Sequence, residues 1–277
     1  MTRVRLRIDL AYDGAPFAGF ARQPDQTTVQ GTLEGALQRL VGQDVASTGA
    51  GRTDRGVHAR AQVVHVDLDV TDGPVDPDAR ADRAERTLAD LGVLRHRLDQ
   101  LVGPAITIWQ VSSVSQAFDA RFSAVARTYR YRLVDALAAD PIVRHDRWHV
   151  GEPLDVDAMQ QAGQALVGEF DFASFCRKGP GQHTVRRIER VAVSRPSRGR
   201  VDIRIDGTAF CHQQVRSITG CLVEVGRGRR PSRWVGQVLE ARDRSVAAAV
   251  APPHGLTLER VSYGRRWPAS PPEPPLG

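Results

Sequence analysis

The stretch GAGRTDRGVHARAQVVHV, residues 49–66, joins a glycine-rich segment to one in which polar and apolar residues alternate. Alternation with a period of two residues is typical of a half-buried strand. We therefore predict a strand over residues 61–68 and a loop before it. A single carboxylate, Asp54, stands in that loop between Arg52 and Arg55.

Two interpretations of Asp54 fit this pattern. The first is a polar surface turn, in which neighbouring exposed arginines contribute little to stability. The second is a working carboxylate, because positive neighbours keep an aspartate ionised where burial would otherwise protonate it. A nucleophile or a general base needs that ionised state. The loop alone does not separate the two interpretations.

Length and composition set the broad class of the protein. The chain has 277 residues, of which 41% are hydrophobic and 25% are charged. This is a soluble globular profile with room for one large domain or two ordinary ones. No apolar run approaches the ~20 residues of a membrane span, and the N-terminus MTRVRLRIDL lacks the apolar core of a secretion signal. A cytoplasmic protein with no membrane partner is predicted.

The cysteines indicate neither a disulfide framework nor a zinc site. There are three, Cys176, Cys211 and Cys221, and no Cys-x-x-Cys motif occurs. An odd number without ligand spacing predicts reduced thiols. His58 and His65 lie near Asp54 in sequence, but the predicted strand carries His65 beyond the loop, which disfavours a metal site. We predict that the protein holds no metal.

The charge is basic and unevenly distributed. The net charge is +6, and Lys178 is the only lysine among 38 basic residues. Residues 67–90 carry eight acidic residues against three arginines, a net of −5, so the remainder carries +11. A basic body suits a polyanion such as nucleic acid, and arginine suits phosphates and base edges. A genome rich in G and C would also favour arginine.

Hydrophobic periodicity predicts alternating strands and helices. VRLRIDLAYDG, AITIWQVSSV and SAVARTYRYRLV have strand patterns, whereas TVQGTLEGALQRLVG has a helical pattern with Thr28 as its cap. A further helix is predicted over 78–101. In the strand SAVARTYRYRLV, Tyr129 and Tyr131 fall on one face and Thr128, Arg130 and Arg132 on the other. Such tyrosines either cover a core or stack on nucleic-acid bases beside cations.

The second half of the chain repeats the order of the first. RRIERVAVSRPSRGRVDIRIDG predicts two strands, and AFCHQQVRSITGCLVEVG predicts a helix. A D-G-x-x-F motif lies between strand and helix in both halves, at 13–17 and 206–210. We predict an α+β fold of two similar modules, each a mainly antiparallel sheet with helices on one face. The predicted domains are residues 1–112, with an acidic insertion at about 67–90, and residues 113–268, followed by a disordered proline-rich tail at 269–277.

Several common catalytic motifs are absent. The sequence has no Walker A loop, no G-x-G-x-x-G opening a helix, no H-E-x-x-H and no G-x-S-x-G. Nucleotide hydrolysis, dinucleotide chemistry and serine hydrolysis therefore lose support. A glycosidase would normally have a second working carboxylate, and no clear partner of Asp54 is found.

Five segments, in order, resemble the tRNA pseudouridine synthase A family. GRTDRGVHARAQVVH resembles the family's signature loop, G-R-T-D-x-G-V-H-A. The other four segments are YDGAPFAGFARQPDQTTVQGTLEGAL, FDARFSAVARTYRYRL, GTAFCHQQVRSITGCLVEVGRG and APPHGLTLERVSY. Together they cover nearly the whole chain.

The resemblance implies an activity and a set of site residues. The family isomerises uridine to pseudouridine at positions 38 to 40 of the tRNA anticodon arm, without a cofactor, as a homodimer of two-module subunits with an active-site cleft between the modules. By the matching motifs, Asp54 takes the nucleophile's position. Tyr129 takes that of the tyrosine packed on the target uracil, Arg216 that of the arginine paired with the aspartate, and Arg52 that of the arginine that helps turn the base out.

The sequence departs from the family pattern in three places. The acidic stretch at 67–90 is an insertion, LDQLVGPAITI replaces the usual segment at that point, and Gln214 stands where the family has methionine. Two alternatives stay open. One is an RNA-binding module with a weak catalytic site, and the other is a pseudouridine synthase for a different RNA position.

Overall fold

The computed structural model describes residues 2–70, 90–177, 183–265 and 267, and it divides into two compact units. Unit 1 comprises Met1–Val125 and Arg260–Gly277, and unit 2 comprises Ala126–Glu259. Both units combine helices with antiparallel strands, so the predicted α+β class is confirmed. Among the described residues, no helix has the length and apolar character that crossing a membrane requires.

The unit boundary differs from the predicted domain boundary. Residue 112 lies inside a strand, Ile106–Val114, that pairs with the first strand of the chain. The C-terminal stretch belongs to unit 1 because Tyr263 donates a hydrogen bond to the carbonyl oxygen of Ala120, at 2.7 Å, and packs on Phe118. Residues 71–89 of the predicted insertion and the whole predicted tail lie outside the described residues.

Unit 1 is built on an antiparallel sheet with the order β4-β1-β3. Its strands are β1 (Thr2–Tyr12), β2 (Ser47–Gly49), β3 (His58–Val70) and β4 (Ile106–Val114). The short strand β2 pairs with β3. Its described helices are α1 (Val29–Val41) and α2 (Leu91–Val102). The two helices contact each other, and α2 also contacts β4.

Both helices of unit 1 begin at side-chain caps. Thr28 accepts a hydrogen bond from the backbone N–H of Gly31, as predicted for a threonine cap. Asp90 accepts from the N–H groups of Gly92 and Val93, which fixes the start of α2 at Leu91. The part of the predicted helix before this cap, 78–89, lies outside the described residues.

From Leu6 to Leu10, strand β1 is buried on both faces, which its alternating sequence did not predict. Arg7 and Asp9 are 1% and 2% exposed and form a paired ion bridge, with nitrogen–oxygen distances of 2.7 and 2.9 Å. The Arg7 guanidinium also lies over the rings of Phe118 and Tyr263. A charged pair tolerates burial when its hydrogen bonds are satisfied. The part of the polar face that carries Arg7 and Asp9 therefore belongs to the core.

Unit 2 has an antiparallel sheet with the order β5-β9-β8-β7. Its strands are β5 (Ala126–Val134), β6 (Trp148–His149), β7 (Gly168–Asp171), β8 (Val185–Ser197) and β9 (Arg200–Gly207). The short strand β6 pairs with β5 in parallel. Strand β10 (Leu256–Ser262) adjoins β5, and its last three residues belong to unit 1. The helices are α3 (Val156–Gln164), α4 (Gln214–Gly226) and α5 (Trp234–Ala241). Helix α3 contacts both β8 and α4.

Candidate active site

Asp54 lies on a tight turn between β2 and β3, in unit 1. The backbone N–H of Val57 donates to the carbonyl oxygen of Asp54 at 3.1 Å, which closes a four-residue turn. Gly56, the third residue of that turn, has φ of 76°, as a type II turn requires of its third position. The carboxylate is half-buried. The glycine thus sets the shape of the turn that carries Asp54.

The residue before Asp54 ties the turn to the rest of unit 1. Thr53 is buried, its hydroxyl lies 2.8 Å from the Tyr12 hydroxyl, and its carbonyl oxygen accepts from the N–H of Phe20 at 3.1 Å. Gln62 donates to the Gly51 carbonyl oxygen at 2.9 Å and to the Tyr12 hydroxyl at 3.4 Å. Burial raises the pKa of Tyr12 to about 12. At neutral pH Tyr12 therefore keeps its proton, and the Tyr12 and Thr53 hydroxyls share one hydrogen bond.

The residues after Asp54 pack against the segment that follows β1. The N–H of Gly14 donates to Nδ1 of His58 at 3.1 Å, and the same nitrogen lies 3.0 Å from the Asp13 carboxylate. A Cβ on Gly14 would lie 2.1 Å from the carbonyl oxygen of Val57. Only glycine allows this approach. The turn is thus held on both sides by backbone contacts.

Replacing Gly14 with alanine should damage the candidate site without touching Asp54. The added Cβ must push the Val57 peptide away, which moves the turn by on the order of 1 Å, and such a shift costs roughly a hundredfold in turnover at a catalytic site. Turnover in the reaction that the family resemblance implies measures the effect. The matched control is Gly35→Ala, at a helical position where a Cβ would meet nothing within 4 Å. Full activity of Gly14→Ala would mean that the turn position is not critical.

The two arginines beside Asp54 are exposed. Arg55 donates from its guanidinium to the side-chain oxygen of Gln26 at 2.8 Å. Arg52 lies on the same loop as Asp54, two residues before it. Arg55 is thus engaged at the surface, and Arg52 is an exposed residue of the same loop.

Tyr129 lies on β5 in unit 2. Its residue exposure is 8%, and its ring meets the Phe210 ring edge-on, with centroids 5.2 Å apart and planes at 88°. Phe210 is the aromatic residue of the second D-G-x-x-F motif and is half-buried. The ring of Tyr129 is therefore oriented by an aromatic partner from its own unit.

The neighbouring tyrosine has a structural position. Tyr131 is 0% exposed, and its hydroxyl donates to the carbonyl oxygen of Pro252 at 2.7 Å. Burial raises the pKa of Tyr131 well above its usual value, and the positive charge of Arg216 opposes this effect. Tyr131 is thus a satisfied core residue within electrostatic range of Arg216.

Arg216 lies in the first turn of α4, in unit 2. Its Nε donates to the carbonyl oxygen of Ala251 at 2.8 Å, and the N–H of Ala251 donates to the carbonyl oxygen of Arg216 at 3.2 Å. This reciprocal pair fixes both the start of the helix and the direction of the side chain. Of the predicted site residues, Arg52 and Asp54 thus lie on one loop of unit 1. Tyr129 and Arg216 lie in unit 2.

The arginines of β5 have partners that the sequence pattern did not reveal. Arg130 pairs with Asp202 of β9, and Arg132 pairs with Glu259 at 2.9 Å. The Thr128 hydroxyl is bonded to Asp206. These carboxylates neutralise the cations next to the tyrosines. The polar face of β5 therefore has a structural role, which the alternation of tyrosine and arginine alone left undecided.

Sequence reasoning missed the residues that hold the Asp54 turn. Tyr12 and Gln62 support it from two strands, and Phe210 supports Tyr129. A polar glutamine inside the apolar run AQVVHV was a usable signal, since a buried amide needs hydrogen-bond partners. Among the described residues, no group of three His, Cys, Asp or Glu side chains is placed to hold a metal ion.

Comparisons with known proteins agree along nearly the whole chain. A family model described as tRNA pseudouridine synthase matches residues 10–88 and 162–264, which include Arg52, Asp54 and Arg216 but not Tyr129. The tRNA pseudouridine synthase A of Frankia casuarinae is 46% identical over 275 residues, covering 99% of this chain and 92% of that protein. The proteins of the same name from Streptomyces griseus and Hyphomonas neptunium are 43% and 41% identical, covering 94% and 95% of this chain and 88% and 99% of their own lengths.

Proposed function

Because the chain belongs to the tRNA pseudouridine synthase family, we propose that it isomerises uridine to pseudouridine at positions 38, 39 and 40 of the tRNA anticodon arm, with Asp54 as the working carboxylate. The observation that carries the assignment of Asp54 is the turn itself. A half-buried carboxylate stands on a turn held by Thr53 on one side and by the Gly14–Val57 approach on the other. A solvated surface turn needs no such anchoring.

The target base must leave its helical stack before it reacts. Extrusion of a base costs a few kcal/mol, and stacking on an aromatic ring returns ~1–3 kcal/mol. Tyr129 is proposed as the stacking surface, since its ring is set by Phe210. Arg52 is proposed to act on the RNA as the base turns out, because its exposed guanidinium can meet phosphate oxygens.

The reaction exchanges one bond of the uracil for another. The bond from N1 to the sugar carbon C1′ breaks, C5 bonds to C1′ instead, C5 loses a proton and N1 gains one. The carboxylate of Asp54 can add to the sugar carbon, add to the base or take a sugar proton. Each route requires an ionised carboxylate in a position that excludes water. The exchange needs neither an oxidant nor a reductant, and the proposal includes no cofactor.

Arg216 is proposed as the positively charged partner of Asp54. Its side chain is half-buried and directed by Ala251. A fully buried pair broken on one side costs about 3–5 kcal/mol. Asp54 is half-buried, so we expect a coupling of about 1–2 kcal/mol.

A double-mutant cycle tests this pairing. Arg216→Ala should lower the free energy of unfolding more in the wild-type background than in Asp54→Ala, by about 1–2 kcal/mol in urea titrations. The hydrogen bond from Arg216 to Ala251 is lost in both backgrounds, so its contribution cancels. Additive effects of the two substitutions would remove the pair from the proposal.

Binding of tRNA should weaken steeply as salt is added. The chain outside residues 67–90 carries +11, and each neutralised phosphate adds roughly 0.7 to 0.9 to the slope of log affinity against log salt. We expect a slope that corresponds to about four or more phosphates. Filter binding or fluorescence anisotropy with the Asp54→Asn protein measures affinity without turnover. A response that is flat in salt would exclude a phosphate-contacting surface.

The proposal also places the enzyme in the cytoplasm as a homodimer with tRNA as its partner. The dimer is taken from the family resemblance, and exposed apolar residues of unit 2 that such an interface could cover include Leu137 and Ile142, which are 80% and 83% exposed. Light scattering of the purified protein gives the mass of the assembly. A monomer at working concentration would contradict the dimer.

Mapping of pseudouridine in tRNA treated with the purified protein tests the whole proposal. Unmodified transcripts should acquire pseudouridine at positions 38, 39 or 40 wherever these hold uridine. Transcripts with cytidine at those positions provide the control. Modification at another position would support the alternative of a different target, and binding without modification would support an RNA-binding module.

A further inference from the structure

Two cysteines of unit 2 lie side by side at the start of α4. Cys211 comes shortly before the helix, and Cys176 follows the short turn Ala173–Phe175. The backbone N–H of Arg177 donates to the carbonyl oxygen of His212 at 3.0 Å, which holds the two segments together. The thiols of Cys176 and Cys211 share a hydrogen bond. Neither residue has a part in the proposed isomerisation.

The two thiols differ in exposure and in acidity. Cys211 is half-buried, whereas Cys176 is 2% exposed. The hydrogen bond from Cys176 lowers the pKa of Cys211 to about 7, with a smaller contribution from the Arg186 charge, while burial and Asp171 oppose the decrease. The same hydrogen bond, together with burial, raises the pKa of Cys176 well above its usual value. Cys211 is therefore the more acidic of the two thiols, and when protonated its S–H can donate to the carbonyl oxygens of His183 and Thr184, both at 3.9 Å.

We propose that Cys211 and Cys176 form a peroxide-reactive dithiol site, in which Cys211 is oxidised first and Cys176 then closes a disulfide. This is a modification site separate from the isomerase activity. Reactive cysteines of this kind are accessible and stand beside a resolving thiol, and the structure places a half-buried thiol in hydrogen-bond contact with a buried one.

The chemistry balances in two steps. The Cys211 thiolate attacks one oxygen of a hydroperoxide, the O–O bond breaks, and the products are a sulfenic acid on Cys211 and, after protonation, water or an alcohol. The Cys176 sulfur then attacks the Cys211 sulfur, the S–O bond breaks, and water leaves. The two sulfurs must approach to about 2.05 Å. The two thiols lose two electrons in total, and the peroxide gains them.

The third cysteine provides an internal control. Cys221 is 0% exposed within α4, and burial raises its pKa to about 11. Its sulfur accepts a hydrogen bond from the N–H of Ala248 at 3.3 Å. Near neutral pH roughly half of a thiol with a pKa of about 7 is in the thiolate form, more than for an ordinary thiol. The thiolate of a more acidic thiol is, however, intrinsically less nucleophilic than that of an ordinary thiol. We therefore expect Cys211 to react with peroxide about threefold faster than an ordinary exposed thiol, and Cys221 to remain reduced.

Peptide mapping of the full chain tests the proposal directly. The purified protein is treated with hydrogen peroxide, remaining thiols are blocked with N-ethylmaleimide, and the digest is analysed without reduction. The expected product is a peptide pair joined through Cys176 and Cys211, lighter by two hydrogens, with Cys221 alkylated. Oxidation of Cys221 at the same rate as Cys211, or persistence of both Cys176 and Cys211 as thiols, would overturn the proposal.

Two variants separate the roles of the thiols. In Cys176→Ser no resolving sulfur is present, so the sulfenic acid should accumulate on Cys211 and be captured by dimedone. In Cys211→Ser the buried Cys176 should stay reduced. Cys221→Ser should form the disulfide as the wild-type protein does. Dimedone capture on Cys176 in the Cys211→Ser protein would reverse the assignment and contradict the proposal. Because each readout is a mass, it does not depend on whether the protein modifies tRNA.

Discussion

Asp54→Asn should lose pseudouridine formation almost completely, with turnover lower by about a thousandfold or more, as when a catalytic nucleophile is removed. The amide preserves the shape of the side chain but can neither attack nor accept a proton as a carboxylate does. The turn itself should persist, because the backbone carbonyl oxygen of residue 54 still accepts from Val57 and Thr53 still binds Tyr12. Single-turnover assays on an unmodified tRNA transcript measure the loss.

Arg55→Ala is the matched control for this variant. Arg55 is adjacent in sequence and exposed, and its guanidinium contacts Gln26. Its removal should leave turnover close to that of the wild-type protein. Binding of tRNA to Asp54→Asn should also stay near the wild-type value, which separates lost chemistry from lost affinity. If Asp54→Asn turned over at the wild-type rate, Asp54 would have no part in the mechanism.

Tyr129→Phe should bind tRNA normally and turn over on the order of a thousandfold more slowly, within the range of about 10²–10⁴ typical of a lost proton-transfer group. Formation of pseudouridine requires a proton to leave C5, and a hydroxyl lying on the base is placed to relay it. The phenyl ring keeps the stacking surface and the edge-on contact with Phe210. Affinity and single-turnover rate, measured separately, distinguish the two functions of the residue.

Two further variants complete this test. Tyr129→Ala should lose affinity as well, by ~1–3 kcal/mol, because the ring is gone. Tyr131→Phe should leave turnover nearly intact and cost about 1 kcal/mol of stability, since the Pro252 carbonyl oxygen loses its donor. Full activity of Tyr129→Phe would limit the residue to stacking. A larger catalytic loss in Tyr131→Phe would move the catalytic role to Tyr131.

Local signals in the sequence predicted much of the fold. The alternation in residues 61–68, the threonine cap at Thr28 and the strands around Tyr129 all describe short-range periodicity or capping, which neighbouring residues determine. The buried Arg7–Asp9 pair was not predicted, because its burial depends on Phe118 and Tyr263, more than a hundred residues away. Contacts of that range leave no periodic trace in the sequence.

The candidate site shows the same division. The motif around Asp54 and its resemblance to a family identified the carboxylate from sequence, and the structure places it on a turn. Gln62 could be recognised as an amide that needs partners, but which groups Tyr12 and Gln62 contact could not be predicted, because their strands meet only in the folded sheet. Similarly, the partners of Arg130 and Arg132 lie on strands far along the chain. The residue types in the motif indicated a working carboxylate at Asp54. The ion pairs that neutralise Arg130 and Arg132 depend on tertiary structure and were not predicted.

The close approach of Gly14 to the Val57 carbonyl affects which partner, the protein loop or the RNA, has to change conformation when the two bind. A loop whose backbone is already in contact with its neighbour on one side, and held through Thr53 on the other, has little conformational freedom left to lose when RNA arrives. The deformation that recognition demands at this loop then falls on the nucleic acid, which must unstack and rotate one nucleotide while the loop keeps its conformation. Under this arrangement the local stiffness of the RNA helix, rather than an adjustment of this loop, sets how readily a given uridine is presented.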